Sequence, residues 1–180
     1  KVVFAFSEAS DGNLLLGLRA RGERTVLPLD NCGLLPPAAV GIVPKVRELA
    51  RTFGLRAWSG KGRSGASGNG CLRFLVVRIP EYKLRGRAQI LVECITGPTR
   101  SDFGRSKEQA DAVRRLGAEL MARLPLTGFV HSVRADSAAI AQGEHVEAVL
   151  GDAVLRERYG GLVLHFPHNI FMQTNTGVAE

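Results

Sequence analysis

Apolar residues follow two rhythms along the chain. Val2–Phe6 and Leu14–Arg19 are short apolar runs separated by Asp11-Gly12-Asn13, turn chemistry that predicts a hairpin. Arg21-Gly22-Glu23 predicts a second turn before a third strand, Thr25–Leu29, so residues 1–29 read as an antiparallel meander. After Pro36-Pro37 the spacing changes. Val43, Val46, Ala50 and Phe53 recur at helical intervals, while Lys45, Arg47, Glu48 and Arg51 take the other face. A helix is expected to start at Pro44, with proline as its first residue, and to stop at Gly54.

Ser59 to Gly70 reads as a loop. Leu72–Ile79 and Gln89–Thr96 are strong β segments joined by the basic connection Glu81–Arg87, and Gly97–Arg105 reads as loop. Ser106 and Gln109 fit a capping box for a second helix, whose one face carries Val113, Leu116, Leu120, Met121 and Leu124. Further strands are expected at Gly128–Val133, His145–Leu150 and Gly161–His165. Strands outnumber helices and many are joined by short turns. The expected fold class is α+β: a mostly antiparallel sheet flanked by two main helices.

The 180 residues suit one domain, or one domain and a fragment of a second. At 45% hydrophobic and 23% charged, the composition excludes a disordered, collagenous or coiled-coil chain. No apolar stretch approaches the roughly 20 residues that span a bilayer, so a membrane partner is not expected. Three scattered cysteines make no disulfide framework and point to a reducing compartment, cytoplasmic or organellar and not secreted. Lys1 opens directly into an apolar run too short for a signal-peptide core. Asn175 to Glu180 has the pattern of a helix start without a full turn, and such ends are expected of an excerpt from a longer polypeptide.

Charge changes the picture most. The net charge is +7, and from Lys45 to Arg87 there are eleven Lys/Arg against only Glu48 and Glu81. A concentrated basic segment is the footprint of a polyanion, and its richness in arginine suits phosphate, because guanidinium forks match phosphate geometry. RNA contact is assigned on charge and loop position to Arg56, Lys61, Arg63, Arg73, Lys83, Arg85 and Arg87.

Other motifs carry less. Gly60-Lys61-Gly62-Arg63-Ser64-Gly65 matches G-x-G-x-x-G, but Ala-Ser-Gly-Asn-Gly follows it and cannot open the helix a dinucleotide site needs. His165-Phe166-Pro167-His168 has a proline between its imidazoles and reads as a strand end, not a metal site. Cys71 and Cys94 sit in or beside apolar β segments and read as inert core thiols. Phe171-Met172-Gln173-Thr174-Asn175 is different: closely spaced amides beside an aromatic suit reading a base edge while a ring stacks on its face.

Three stretches together resemble the RNA (uracil-5-)-methyltransferase family acting on tRNA and rRNA. Leu16-Gly17-Leu18-Arg19 through Val26-Leu27-Pro28-Leu29-Asp30-Asn31-Cys32-Gly33-Leu34-Leu35-Pro36 is similar to the family's G-[FL]-R … C-x-[VIL]-L-x-P segment. Leu72-Arg73-Phe74-Leu75-Val76-Val77-Arg78 is similar to its L-R strand, and Phe171-Met172-Gln173-Thr174-Asn175 to its F-[FI]-Q-[VT]-N motif. The resemblance implies a central RNA-positioning domain over residues 1–166 and the start of an S-adenosylmethionine-dependent methyltransferase domain over 167–180. It implies that Gln173 and Asn175 lie near the methyl donor and the flipped uridine, with Phe171 beside them. Cys32 matches a cysteine that joins three earlier cysteines around an iron–sulfur cluster in some members, and those three are not in this chain. The family's nucleophilic cysteine and general-base glutamate follow the Q-x-N motif and are likewise not in this chain. This chain is therefore expected to position RNA, not to catalyse. The alternative expectation is a catalytically silent homologue that binds RNA or ribosomal assembly intermediates.

Overall fold

The computed structural model describes residues 1–23, 25–30, 32–33, 35–58, 70–97 and 103–171, with the side chains of 38 and 103–106 outside the description. Among these residues nine strands and two helices follow in the order β1 (Val2–Glu8), β2 (Leu14–Arg19), β3 (Val26–Pro28), α1 (Ile42–Thr52), β4 (Leu72–Arg78), β5 (Leu91–Thr96), α2 (Phe103–Arg123), β6 (Gly128–Val133), β7 (His145–Gly151), β8 (Val154–Tyr159) and β9 (Leu162–Pro167). A 3₁₀ turn, Pro37–Ala39, precedes α1.

Seven strands form one sheet in the order β3-β2-β1-β4-β5-β6-β7, and β8-β9 form a separate hairpin. Neighbours are antiparallel except β5 and β6, which run parallel because α2 carries the chain back across the sheet. The fold class is α+β, as the residue pattern predicts.

Both helices pack on one face of the sheet. Val43 and Val46 of α1 and Leu116 and Leu120 of α2 meet Phe4, Leu16, Leu75, Val92 and Phe129 in the main core. The opposite face holds a smaller cluster of Ala5, Val26, Phe74, Val76 and Ile95. β4 and β5 lie near the sheet centre and are buried throughout, which is why they read as largely apolar segments without strict alternation. Each fully buried Val, Leu or Phe here contributes roughly 1.5–3 kcal/mol. α2 approaches the sheet closely at Gly117, where an added Cβ would lie 2.3 Å from Phe129 Cδ1.

Three boundaries differ from expectation. α1 starts at Ile42, so Pro44 is its third residue and not its first. Proline is tolerated there because the first four helix N–H groups have no intrahelical acceptor. α2 winds back to Phe103, so the Ser106–Gln109 pair does not stand at its start; Phe103-Gly104-Arg105 contains no proline or β-branched residue to stop it. β8 has no counterpart among the expected strands. Its second inward position is Glu157, only 2% exposed, and an inward carboxylate hides the alternation that identifies a strand. Among the described residues no helix is long and apolar enough to cross a membrane.

Candidate nucleic-acid interface

The chain leaves β4 through Ile79-Pro80 and doubles back before β5. Leu84 and Arg87 form an isolated antiparallel bridge, and the Arg87 amide donates to the Leu84 carbonyl at 3.0 Å. The two residues between them, Arg85 (φ 51°) and Gly86 (φ 77°), are both left-handed, the pattern of a type I′ turn. Such turns ordinarily take Asn, Asp or Gly. Arg85 is the one non-glycine residue at positive φ among the described residues, and holding an L side chain there costs about 1–2 kcal/mol. Lys83, Arg85 and Arg87 are all exposed on this turn.

Two buried polar side chains fix the turn's base. Glu157 Oε2 accepts from the Glu81 amide at 2.7 Å, and Oε1 from the amides of Tyr82 and Arg158 at 2.9 and 3.0 Å. Gln89, 1% exposed, donates from Nε2 to the carbonyls of Tyr82 (2.7 Å) and Arg156 (2.8 Å), and its Oε1 accepts from the Arg156 amide at 2.9 Å. The Arg158 guanidinium lies 5.2 Å from the centre of the Tyr82 ring. Together these contacts join the basic turn to β8, so turn and hairpin form one rigid unit. Beside it opens a cavity of about 960 Å³, lined on one side by Arg85, Arg87 and Arg156 and on the other by the connection from α2 to β6 at Leu126 and Thr127. A rigid turn with three exposed cations, Lys83, Arg85 and Arg87, the two arginines lining a wide groove, can hold a phosphodiester backbone.

The remaining cations predicted to touch RNA separate into three groups. Arg73 is buried, only 4% exposed. Its Nη1 donates to the carbonyls of Arg134 (3.0 Å) and Asp136 (2.6 Å), its Nη2 donates to that of Ala138, and its guanidinium stacks 4.1 Å from the centre of the Trp58 ring. A buried guanidinium with its fork turned inward onto carbonyls is not presented to phosphate, so Arg73 acts as a clamp on the turn after β6. Arg56 is exposed but forms a two-point ion pair with Glu8, Nε to Oε1 and Nη2 to Oε2, both at 2.9 Å. Lys61 and Arg63 lie outside the described residues.

Ahead of Phe171, the backbone turns after β9 with the Ile170 amide donating to the Pro167 carbonyl at 3.1 Å. Phe171 follows and is 79% exposed. Gln173 and Asn175 lie outside the described residues. Cys32 is 6% exposed and packed in the main core. Among the described residues no three metal-ligating side chains converge, so they do not by themselves assemble an iron–sulfur site. Burial pushes the Cys71 thiol up to about 12 and Cys94 well above its ordinary value, so both are protonated core residues at neutral pH.

Sequence reasoning missed Glu157, Gln89 and His131. The last lies under α2 near the carboxyl ends of the parallel pair β5 and β6, its Nε2 3.0 Å from Thr96 Oγ1. Burial lowers its pKa to about 4, so the ring is neutral. It borders a cavity of about 210 Å³ shared with His145 and Glu147.

The fold is thus an α+β domain whose mostly antiparallel sheet has one α-linked parallel pair and carries a basic, rigidly held turn. No family model matches the chain. An uncharacterized RNA methyltransferase of Nitratidesulfovibrio vulgaris is 36% identical over 181 residues, a match that covers all of this chain and 35% of that protein. The crystal structure of a Pyrococcus abyssi tRNA (uracil-54, C5)-methyltransferase, in complex with S-adenosyl-L-homocysteine, has the same fold. The TM-score is 0.69 at 17% identity, over 99% of this chain and 37% of the other. The chain thus spans about a third of the length of the relatives it matches. By sequence it matches a stretch of an RNA methyltransferase, and by fold a stretch of a tRNA methyltransferase.

Proposed function

We propose that this chain is the RNA-positioning part of an S-adenosylmethionine-dependent enzyme that methylates C5 of a uridine in tRNA or rRNA. Residues 1–166 hold the RNA and residues 167–180 lead into the methyl-donor domain. The observation that carries this reading is the lock between Glu157, Gln89 and the basic turn. That lock makes the cationic rim continuous with the β8–β9 hairpin, and the chain runs directly from β9 to Phe171. RNA gripped at Lys83, Arg85 and Arg87 is thereby held at a fixed offset from the start of the segment that contains Gln173 and Asn175. The bacterial relative, an RNA methyltransferase, and the structural neighbour's complex with S-adenosyl-L-homocysteine support the reading.

In this reading the donor supplies the methyl group. Phe171 stacks on a base, Gln173 and Asn175 hold polar edges of donor or uracil, and the basic turn orients the backbone. Among the described residues Cys71 and Cys94 supply no nucleophile, since both are buried and protonated.

The test uses the full-length protein with tRNA and rRNA transcripts and isotopically labelled S-adenosylmethionine, reading 5-methyluridine in the digested product. Reversing Lys83, Arg85 and Arg87 together to Glu is expected to weaken RNA binding. Its log–log salt slope should fall by roughly 2, about 0.7 for each phosphate no longer neutralised. An unchanged slope would refute the interface. RNA binding without 5-methyluridine in any transcript would identify a silent homologue instead.

A further inference from the structure

One stretch that carries the family resemblance meets, in the fold, the residue that immediately precedes another. Arg78, the last residue of β4, donates from Nη1 to the backbone carbonyl of Ile170 at 3.0 Å. Ile170 immediately precedes Phe171. Arg78 is 7% exposed, and its Nε is buried without a hydrogen-bond partner among the described residues. Leu75 and Val77 of β4 face the helices, so Arg78, one residue on, faces the opposite side of the sheet. Glu93 of β5 shares that side, 3% exposed, with Ser132 Oγ donating to its Oε1 at 2.7 Å. Burial drives the Arg78 guanidinium below its ordinary pKa, and the Glu93 charge opposes that shift.

Packing alone does not call for arginine at this place. A buried charge gives a fold little that well-packed apolar residues would not, and a buried donor without an acceptor is a cost. What arginine adds is a directed donor to one particular carbonyl. The residue that follows that carbonyl, Phe171, is 79% exposed. Among the described residues, the Arg78 bond to Ile170 is the last side-chain grip on the backbone before the Phe171-Met172-Gln173-Thr174-Asn175 segment.

We propose that Arg78 is a positioning residue for the methyl-donor end of the enzyme. By fixing the Ile170 carbonyl against the rigid centre of the sheet, it sets where that segment leaves the RNA-holding domain. The inference rests on the reading that Gln173 and Asn175 serve the donor, and its test separates the two.

In the full-length protein, Arg78→Met removes charge and donors, while Arg78→Lys keeps the charge opposite Glu93 and removes the fork. Arg123→Ala, on the exposed end of α2, is the control. Hydrogen exchange of the 167–171 backbone reads the anchor directly, titration with S-adenosylhomocysteine reads the donor site, and RNA affinity reads the basic turn. Both Arg78 variants are expected to exchange this segment at least 10-fold faster. They are expected to bind S-adenosylhomocysteine roughly 10-fold more weakly and to bind RNA within 2-fold of the parent. A parallel loss of donor and RNA affinity marks general unfolding and overturns the proposal, and Arg78→Lys keeps that comparison open if Arg78→Met does not fold. Unchanged exchange overturns the anchor. Faster exchange with unchanged S-adenosylhomocysteine affinity overturns the positioning role. If the parent itself does not bind S-adenosylhomocysteine, the donor reading fails and this role with it, while the exchange data still establish the Arg78 anchor.

Discussion

Replacing Glu157 by Gln keeps the shape of the side chain and removes one acceptor. The carboxylate serves three backbone amides: Glu81 through Oε2, and Tyr82 and Arg158 through Oε1. An amide nitrogen cannot accept, so the substituted side chain satisfies one side of this arrangement and presents a donor to a donor on the other. If Gln keeps its oxygen toward Tyr82 and Arg158, the Glu81 amide is orphaned; if it flips, two amides are. Hydrogen bonds to a charged group contribute about 1.5–3 kcal/mol, and a buried unsatisfied amide costs about 1–3 kcal/mol. The site is 2% exposed, so water offers little relief. Glu157→Gln should therefore lower unfolding free energy by about 2–4 kcal/mol, measured by urea denaturation at pH 7. It should also loosen the turn and weaken RNA binding without changing the number of cations. A loss below about 0.5 kcal/mol, the low end for an ordinary hydrogen bond, would mean that the turn is held by something else and that Glu157 does not make the rim rigid.

Substitution, pH and alkylation each probe another part of the fold. Gly117→Ala, which in an exposed helix would add about 1 kcal/mol of stability, should instead destabilise by about 1–2 kcal/mol, because its Cβ meets the buried Phe129 ring; urea denaturation in a Phe129→Leu background should show most of that loss removed. His131 has a folded pKa of about 4, below its unfolded value of about 6.5, so the unfolded chain binds the proton more readily between those values and stability falls as pH falls through that window. By pH 5 the loss should reach about 2 kcal/mol relative to pH 7.5, and His131→Asn should flatten this part of a denaturation series. Cys71 and Cys94 should resist iodoacetamide at pH 8 in the native protein and react on unfolding, as followed by mass spectrometry.

The meander of β1 to β3 is legible in sequence because its turns carry Gly and Asp at the positions that need them, and β4 and β5 because their burial on both faces leaves largely apolar runs. The basic turn is legible as charge, and Lys83, Arg85 and Arg87 are displayed together on it. Which arginines face outward is not legible. Arg73 and Arg85 look alike in sequence, yet one is enclosed by three carbonyls and Trp58 while the other sits at a turn tip. That difference arises from contacts with residues 134–138, about sixty positions away, and no local pattern encodes it. Glu157 is hidden for the same reason, its partners Glu81 and Tyr82 lying in a distant loop. A lone Glu at an inward position of Val154–Tyr159 is the one available sign.

The pairing of β1 with β4 has a kinetic consequence. β4 meets β5 after a short connection, whereas β1 joins it in the register Val2↔Val77, across most of the chain's first half. Closing a loop of roughly seventy residues costs about 1–2 kcal/mol more chain entropy than closing one of about a dozen. The N-terminal meander and the β4–β5–α2–β6 segment can each collapse on local contacts, and the seam between them closes last. Along the same seam, native-state hydrogen exchange is expected to show β1, β2 and β3 released together as one cooperative unit.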